Sequence, residues 1–138
     1  MKLESEFTVE RHRDEVVGIF DDDATFEAIM PDTRIVKREG DVRHTVTPYA
    51  AMGQSGEARF VFTTLVDGNL RFEKICDGNV WRALEGEVTL DEDGPFTRVA
   101  LRMEGRTRAL VPELAIRGPL REQLEQMADS LRRRLENA

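Results

Sequence analysis

The chain has 138 residues, 40% of them hydrophobic, a size and composition that fit one domain built around one core, residues 1–138. A net charge of −7 argues against nucleic-acid binding, because neutralising phosphates needs a basic surface, and against a purely electrostatic hold on anionic membranes. The single cysteine, Cys76, allows no internal disulfide and no cysteine-based zinc site. No apolar run approaches the roughly 18 residues of a membrane span, and Met1 to Glu6 lacks the apolar stretch of a signal peptide, so a soluble cytoplasmic protein is expected.

Leu3, Ser5, Phe7 and Val9 alternate with Glu4, Glu6, Thr8 and Glu10, the period-two pattern of a half-buried strand. The period changes over His12 to Phe20, where Val16, Val17 and Phe20 make a short apolar helical face. One of Asp21, Asp22 and Asp23 caps a second helix, Ala24 to Ile29, by accepting a backbone N–H bond, and Pro31 ends it. Six strands follow: Arg34–Glu39, Val42–Tyr49, Glu57–Val66, Leu70–Cys76, Val80–Leu90 and Thr97–Thr107. Between them stand Gly40-Asp41, Gly53 to Gly56, Asp67-Gly68-Asn69, Asp77-Gly78-Asn79 and the polar loop Asp91 to Pro95, turn chemistry that predicts consecutive antiparallel hairpins. In the last strand Val99, Leu101, Met103 and Gly105 face one way, and Arg98, Ala100, Arg102, Glu104 and Arg106 the other, so the sheet has one apolar and one wet face. Leu110 to Gly118 reads as a helical lead-in kinked at Gly118-Pro119. The main helix is expected from Pro119 to Glu136, with Leu120, Leu124, Met127, Leu131 and Leu135 on one face. That stripe must be buried, and the apolar face of the sheet is the available partner.

Phe7-Thr8-Val9 precedes the first helix, and Asp22-Asp23 leads to Ile29-Met30-Pro31 before the second strand. Leu84-Glu85-Gly86-Glu87-Val88 puts a glycine in the sixth strand, and Thr97-Arg98-Val99 opens the last. These segments, in the order strand, two short helices, six strands, long helix, resemble the helix-grip fold of the START-related (SRPBCC) superfamily. That group includes polyketide cyclase/dehydrase-like proteins, lipid-transfer domains and the G-type family of carbon monoxide dehydrogenase subunits. The resemblance covers nearly the whole chain. It implies an α+β fold, a seven-stranded antiparallel sheet curved around the C-terminal helix with a cavity between them. It implies no reaction, since the superfamily shares no universal catalytic residues.

The expected inward register of the fifth strand is Leu70, Phe72, Lys74 and Cys76, and of the sixth Val80, Arg82, Leu84 and Gly86. A hairpin centred on Gly78 sets Lys74 roughly opposite Arg82. Like charges across a pair are unfavourable unless neutralised. Either a carboxylate or phosphate is held there at the cavity end, or both side chains reach past the hairpin tip into water. His44, between Val42 and Val46, is a candidate cavity acid or base, its unperturbed pKa being near ~6.5, or a hydrogen-bonded residue at the sheet margin. His12 and His44 have no metal-ligand spacing. Asp21 to Asp23 lack the spacing of a calcium loop and read as a cap plus solvated charge, so neither metal nor cofactor is expected. Gly53-Gln54-Ser55-Gly56 joins two strands and makes no phosphate loop, and no nucleophile–histidine–acid set is visible. Arg132 to Arg134 complement the helix dipole.

The chain thus reads as a noncatalytic binding protein for a small hydrophobic or amphipathic molecule, such as a lipid, quinone or polyketide-like ring. Its cavity is expected between sheet and C-terminal helix, opening toward Leu110–Gly118 and the two short helices. The candidate ligand contacts are Phe60, Phe62, Phe72, Leu84, Met103, Leu124 and Met127, which either line the cavity or pack as core, together with His44, Lys74 and Arg82. One alternative is a cyclase or dehydratase acting on a polyketide-like substrate, with His44, Lys74 and Arg82 as proton-transfer candidates. Another is an interaction or membrane-recruiting subunit, which an exposed apolar outer face would favour and the charges at Arg98, Arg102, Glu104 and Arg106 oppose.

Overall fold

A computed structural model describes residues 1–51 and 53–138. The chain runs β1 (Lys2–Val9), α1 (Arg13–Phe20), α2 (Asp23–Ala28), β2 (Arg34–Glu39), β3 (Val42–Ala51), β4 (Gln54–Thr64), β5 (Leu70–Lys74), β6 (Trp81–Asp93), β7 (Phe96–Thr107) and α3 (Glu113–Asn137). Among the described residues the seven strands form one antiparallel sheet in the order β1-β7-β6-β5-β4-β3-β2. No helix among them is long and apolar enough to cross a membrane.

First and last strands are neighbours, paired from Lys2↔Glu104 to Val9↔Thr97. The two short helices therefore carry the chain across one face of the sheet to its opposite edge, α1 packing on β6 and β7 and α2 on β2. That face is the inner one. α3 packs on it over β1 and β7, and also against α2. Leu3, Val9, Val99, Leu101 and Met103 meet Leu120, Leu124, Met127, Leu131 and Leu135 there, all buried. Each such side chain contributes about 1.5–3 kcal/mol on removal from water. Period two in the strands and period 3.6 in the helix place these residues on facing surfaces, as the sequence pattern predicts.

Four of the differences from the expected boundaries shape the sheet ends and the long helix. α3 begins at Glu113, with Pro112 as its N-cap, and Pro119 lies inside the helix. Proline at that position withholds one N–H from the carbonyl of Ala115, an exposed residue whose oxygen water can serve. Starting the helix early buries Ile116, which a start at Pro119 would leave outside it. The stretch Gly53–Gly56 is not a long loop, because pairing continues through Tyr49↔Gly56 and Ala50↔Ser55. Asp91 to Asp93 extend β6, since Asp91↔Arg98, Glu92↔Thr97 and Asp93↔Phe96 continue the ladder to a tight turn at Gly94 (φ 61). β5, by contrast, stops at Lys74, and residues 75–80 form an irregular connection.

Two inner-face glycines are fixed by close approach of an aromatic ring. A Cβ on Gly86 would lie 2.3 Å from the Phe72 ring, and one on Gly105 would lie 2.5 Å from Trp81.

Candidate functional site

Directly paired residues share a face, so the ladders define rows across the inner surface. One row is Arg43, Phe62, Phe72 and Gly86. The next is Ile35, Thr45, Phe60 and Lys74. Beyond it lies Thr47 beside Ala58. The three rings on β4 and β5 form a continuous aromatic floor, with centroids 5.6–6.3 Å apart.

The first row is sealed. Phe26 from α2 packs edge-on against Phe62 at 5.4 Å, and the Arg43 guanidinium lies 4.3 Å over the Phe26 ring. Arg43 is fully buried, yet its charge is answered. Nε donates to Asp23 Oδ1 (2.9 Å), Nη2 donates to the Asp21 carbonyl (2.7 Å), and Thr64 Oγ1 accepts from Nη1 (3.4 Å). The hydrogen bond from Arg43 holds the Asp23 carboxyl below the ordinary carboxylate value, with the charge of Arg38 adding to it. Asp22 caps α2 by accepting from Ala24 N and also pairs with Arg134 of α3 at 3.0 Å. Asp21 to Asp23, expected to provide a cap plus solvated charge, therefore join α2, β3 and α3. Arg134, expected to serve the helix dipole alone, is one of their partners.

The second row is closed at Thr45 and less fully closed at its other positions. Phe60, Lys74 and Ile35 point inward and are half-buried, as are Met30 and Cys76 beside them. Apolar side chains on the inner face that retain contact with water mark a part of that face that is not sealed. Lys74 and Cys76 lie toward the end of the sheet where residues 75–80 and 108–112 meet. Arg108 fastens those loops together by donating to the Gly78 and Cys76 carbonyls. In the same row Thr45 is 1% exposed, and its Oγ1 has no hydrogen-bond partner among the described residues. Thr47, one position along, has its partner in Thr33, 2.7 Å away.

The residues singled out in the sequence are not all brought together. Phe62, Phe72, Leu84, Met103, Leu124 and Met127 are buried in the core. Phe60 and Lys74 are half-buried, directly paired on the inner face. His44 pairs with Lys37 and Val61 on the outer face, because the inward phase of β3 is Arg43, Thr45 and Thr47. Arg82 does not face Lys74. The β5–β6 register sets Glu73 opposite Glu85, two residues from the partner that expectation gives it, and the strands unpair beyond it. A bulge between Trp81 and Ala83 then turns Trp81 inward, over Gly105, and leaves Arg82 exposed. Trp81, Arg43 and Thr45 were not picked out from the sequence. Asp21 and Asp23 are the signal that pointed to Arg43, since a buried arginine needs carboxylate or carbonyl partners.

A separate concavity of ≈ 960 Å³ lies on the outer face, open to solvent, and includes Lys2, Glu4, Arg71, Glu73, Glu85, Glu87, Arg102 and Glu104. Glu87 and Glu4 both pair with Arg102, at 3.3 and 3.4 Å, and these hydrogen bonds raise the Arg102 guanidinium above its ordinary value. Arg102 thus has two carboxylate partners within this trough, whose lining also includes Leu3, Val61, Leu65, Phe72 and Met103.

No family model matches the chain, and no curated protein matches it. Solved structures do. A START superfamily protein from Mycobacterium smegmatis is similar over 97% of this chain and 96% of its own, at 18% identity and a TM-score of 0.74. The Zhui aromatase/cyclase of Streptomyces sp. R1128 is similar over 98% and 90%, at 16% identity and a TM-score of 0.75. The STAR-related lipid transfer protein of Xanthomonas axonopodis is similar over 97% and 85%, at 20% identity and a TM-score of 0.68. The fold is therefore the START-type helix-grip fold that the order of elements resembles.

Proposed function

We propose that this helix-grip chain binds a small hydrophobic or amphipathic molecule on the inner face of its sheet, around Phe60. The observation that carries this reading is the second row: inward-facing Ile35, Phe60 and Lys74, with Met30 and Cys76 beside them, keep contact with water where the first row is sealed. An occupant that covers them gains about 25 cal/mol for each Å² of apolar surface removed from water. The names of two similar folds, a lipid transfer protein and an aromatase/cyclase, agree with an apolar occupant.

Binding is preferred to a cyclase or dehydratase reading because the three proton-transfer candidates lie apart. His44 is on the outer face, Arg82 is exposed at the bulge, and Lys74 alone is on the inner face. The outer face of β6 and β7 is covered with ion pairs, which disfavours a role as an apolar docking subunit.

The test is native mass spectrometry of the purified protein beside solvent extraction of the same sample. An apolar molecule in near-stoichiometric amount, lost in Phe60→Glu while the circular dichroism spectrum is kept, is the expected result. The reading fails if the parent carries no such molecule and its Trp81 fluorescence is unmoved by saturating amphiphile.

A further inference from the structure

Leu110 and Leu114 are 97% and 89% exposed, so both side chains project from the molecule and pack on almost nothing. The buried face of α3 begins at Ile116, and Leu114 stands in the first turn of that helix, away from the stripe that meets the sheet. The two leucines flank Pro112, and the turn that carries them is braced. Thr107 Oγ1 donates to the Val111 carbonyl (2.7 Å), and Val111 N donates to the Arg108 carbonyl (2.9 Å). The Arg108 side chain ties the turn to residues 76–80 through the Cys76 and Gly78 carbonyls. A single exposed leucine is ordinary. Two fully projecting ones on one braced turn form an apolar tip at this end of the sheet.

The charge around the tip is opposite in sign to that of the chain. Residues 74–82 and 106–117 carry Lys74, Arg82, Arg106, Arg108 and Arg117 against Asp77 and Glu113, a net of +3 where the whole chain has −7. Among the described residues none of those five cations has a carboxylate partner, whereas Arg98, Arg102, Arg132 and Arg134 elsewhere do. α3 adds the positive end of its dipole, since its N-cap, Pro112, makes no side-chain capping bond. At the far end of β6 stand Asp91, Glu92 and Asp93. The sheet is thus polarised along its strands, basic and apolar at one end and acidic at the other.

We propose that the basic end docks on an anionic lipid surface, with Leu110 and Leu114 entering the apolar layer and Arg82, Arg106, Arg108 and Arg117 meeting the headgroups. The inference does not depend on what occupies the inner face. Shape favours a fluid layer over a protein partner. The leucines are knobs and not the walls of a groove, and a liquid takes up such side chains without a complementary surface, whereas a protein interface needs a packed core. Apolar side chains among basic ones are the combination that holds a peripheral protein at a negatively charged leaflet. The acidic end is repelled by the same surface, which orients the approach.

The test is flotation of the full chain with vesicles of phosphatidylcholine alone, and with vesicles in which about one third of the lipid is phosphatidylglycerol. The parent is expected to partition onto the anionic vesicles about tenfold more strongly than onto the neutral ones at about 0.1 M salt, and to lose most of that preference at about 1 M. Leu110→Ser with Leu114→Ser is expected to weaken partition onto the anionic vesicles by about tenfold or more. Its melting temperature should match the parent's, because neither side chain is buried. Arg106→Gln with Arg117→Gln is expected to remove most of the preference for anionic vesicles. Val66→Ser, at a fully exposed apolar site in the turn at the other end of β5, is expected to leave partition unchanged. A parent that floats with neither vesicle overturns the inference, as does a double leucine variant that partitions like the parent. A loss in Val66→Ser as large as that of the leucine variant also overturns it. So does a parent that ignores vesicles but self-associates in sedimentation velocity through the same two leucines, which would make the tip a protein interface.

Discussion

The inner face of the sheet has two halves with the same backbone pattern and different fates. Over β1 and β7 the inward positions are Leu3, Val9, Val99, Leu101 and Met103, and α3 closes them completely. Over β3 to β5 they are Arg43, Thr45, Thr47, Phe60, Phe62, Phe72 and Lys74, covered in part by α2 and in part by water. Alternation puts side chains inward in both halves, and side-chain chemistry decides whether the interior closes over them. Aliphatic residues need only a partner surface. Polar ones need specific partners, and where the fold supplies them, as for Arg43, the row is sealed. Where it does not, as for Thr45, a buried hydroxyl is left without a partner among the described residues. On the reading proposed above, the closed half should set stability and the less closed half should set binding, so substitutions should sort accordingly.

The largest expected effect is in the closed half. Leu124 is fully buried between α3 and the sheet, and Leu124→Asp should unfold the protein, since an unpaired charge there costs several kcal/mol or forces the group neutral. Loss of the circular dichroism signal and of a cooperative melt is the outcome expected. A melting temperature within a few degrees of the parent would mean that α3 does not close this half. Next is the sealed part of the other half. Arg43→Ala removes a buried stem, its stacking on Phe26 and its bonds to Asp23 and the Asp21 carbonyl. A loss of about 2–3 kcal/mol in urea unfolding is expected.

The same ion pair gives a pH dependence of definite sign. The folded-state pKa of Asp23 is depressed, first by the Arg43 hydrogen bond. Between the folded and unfolded values the unfolded chain holds more protons, so stability rises with pH in that window. The contribution is present above the unfolded value, about 3.9, and is lost as pH falls through the folded one. Asp23→Asn should accordingly flatten the melting temperature against pH on the acid side of pH 5. A slope identical to that of the parent would remove Asp23 from the latch.

Much of this was legible in the sequence, for identifiable reasons. Glycine-bearing turns at Gly40-Asp41 and Asp67-Gly68-Asn69 mark hairpins whatever the tertiary context, and β2 runs from Arg34 to Glu39 as expected. The leucine stripe of α3 is unambiguous because its two faces differ so strongly. The phase of β3 was not legible: Val42 and Val46 suggest one inward face, while Arg43, Thr45 and Thr47 occupy the real one. An apolar count misleads where a polar residue is buried with its partner, and the partner lies 20 residues earlier, in Asp23. Arg82 was misplaced for a different reason. A bulge inserts one residue and reverses every side chain beyond it, and nothing in Trp81-Arg82-Ala83 announces it.

The smallest expected effect tests that phase directly. His44 is half-buried on the outer face, paired with Lys37 and Val61, with the sheet between its ring and the inner face. His44→Ala should change stability by no more than about 0.5 kcal/mol. Thr45→Val, its immediate neighbour in sequence, should instead raise the melting temperature, because it deletes a buried hydroxyl that has no partner among the described residues and keeps its shape. Adjacent residues on a strand point to opposite faces, so the pair of variants measures orientation with everything else held constant. If His44→Ala lowered the melting temperature by many degrees and Thr45→Val left it unmoved, the register of β3 would be displaced by one residue, and the inner row would have to be rebuilt around His44.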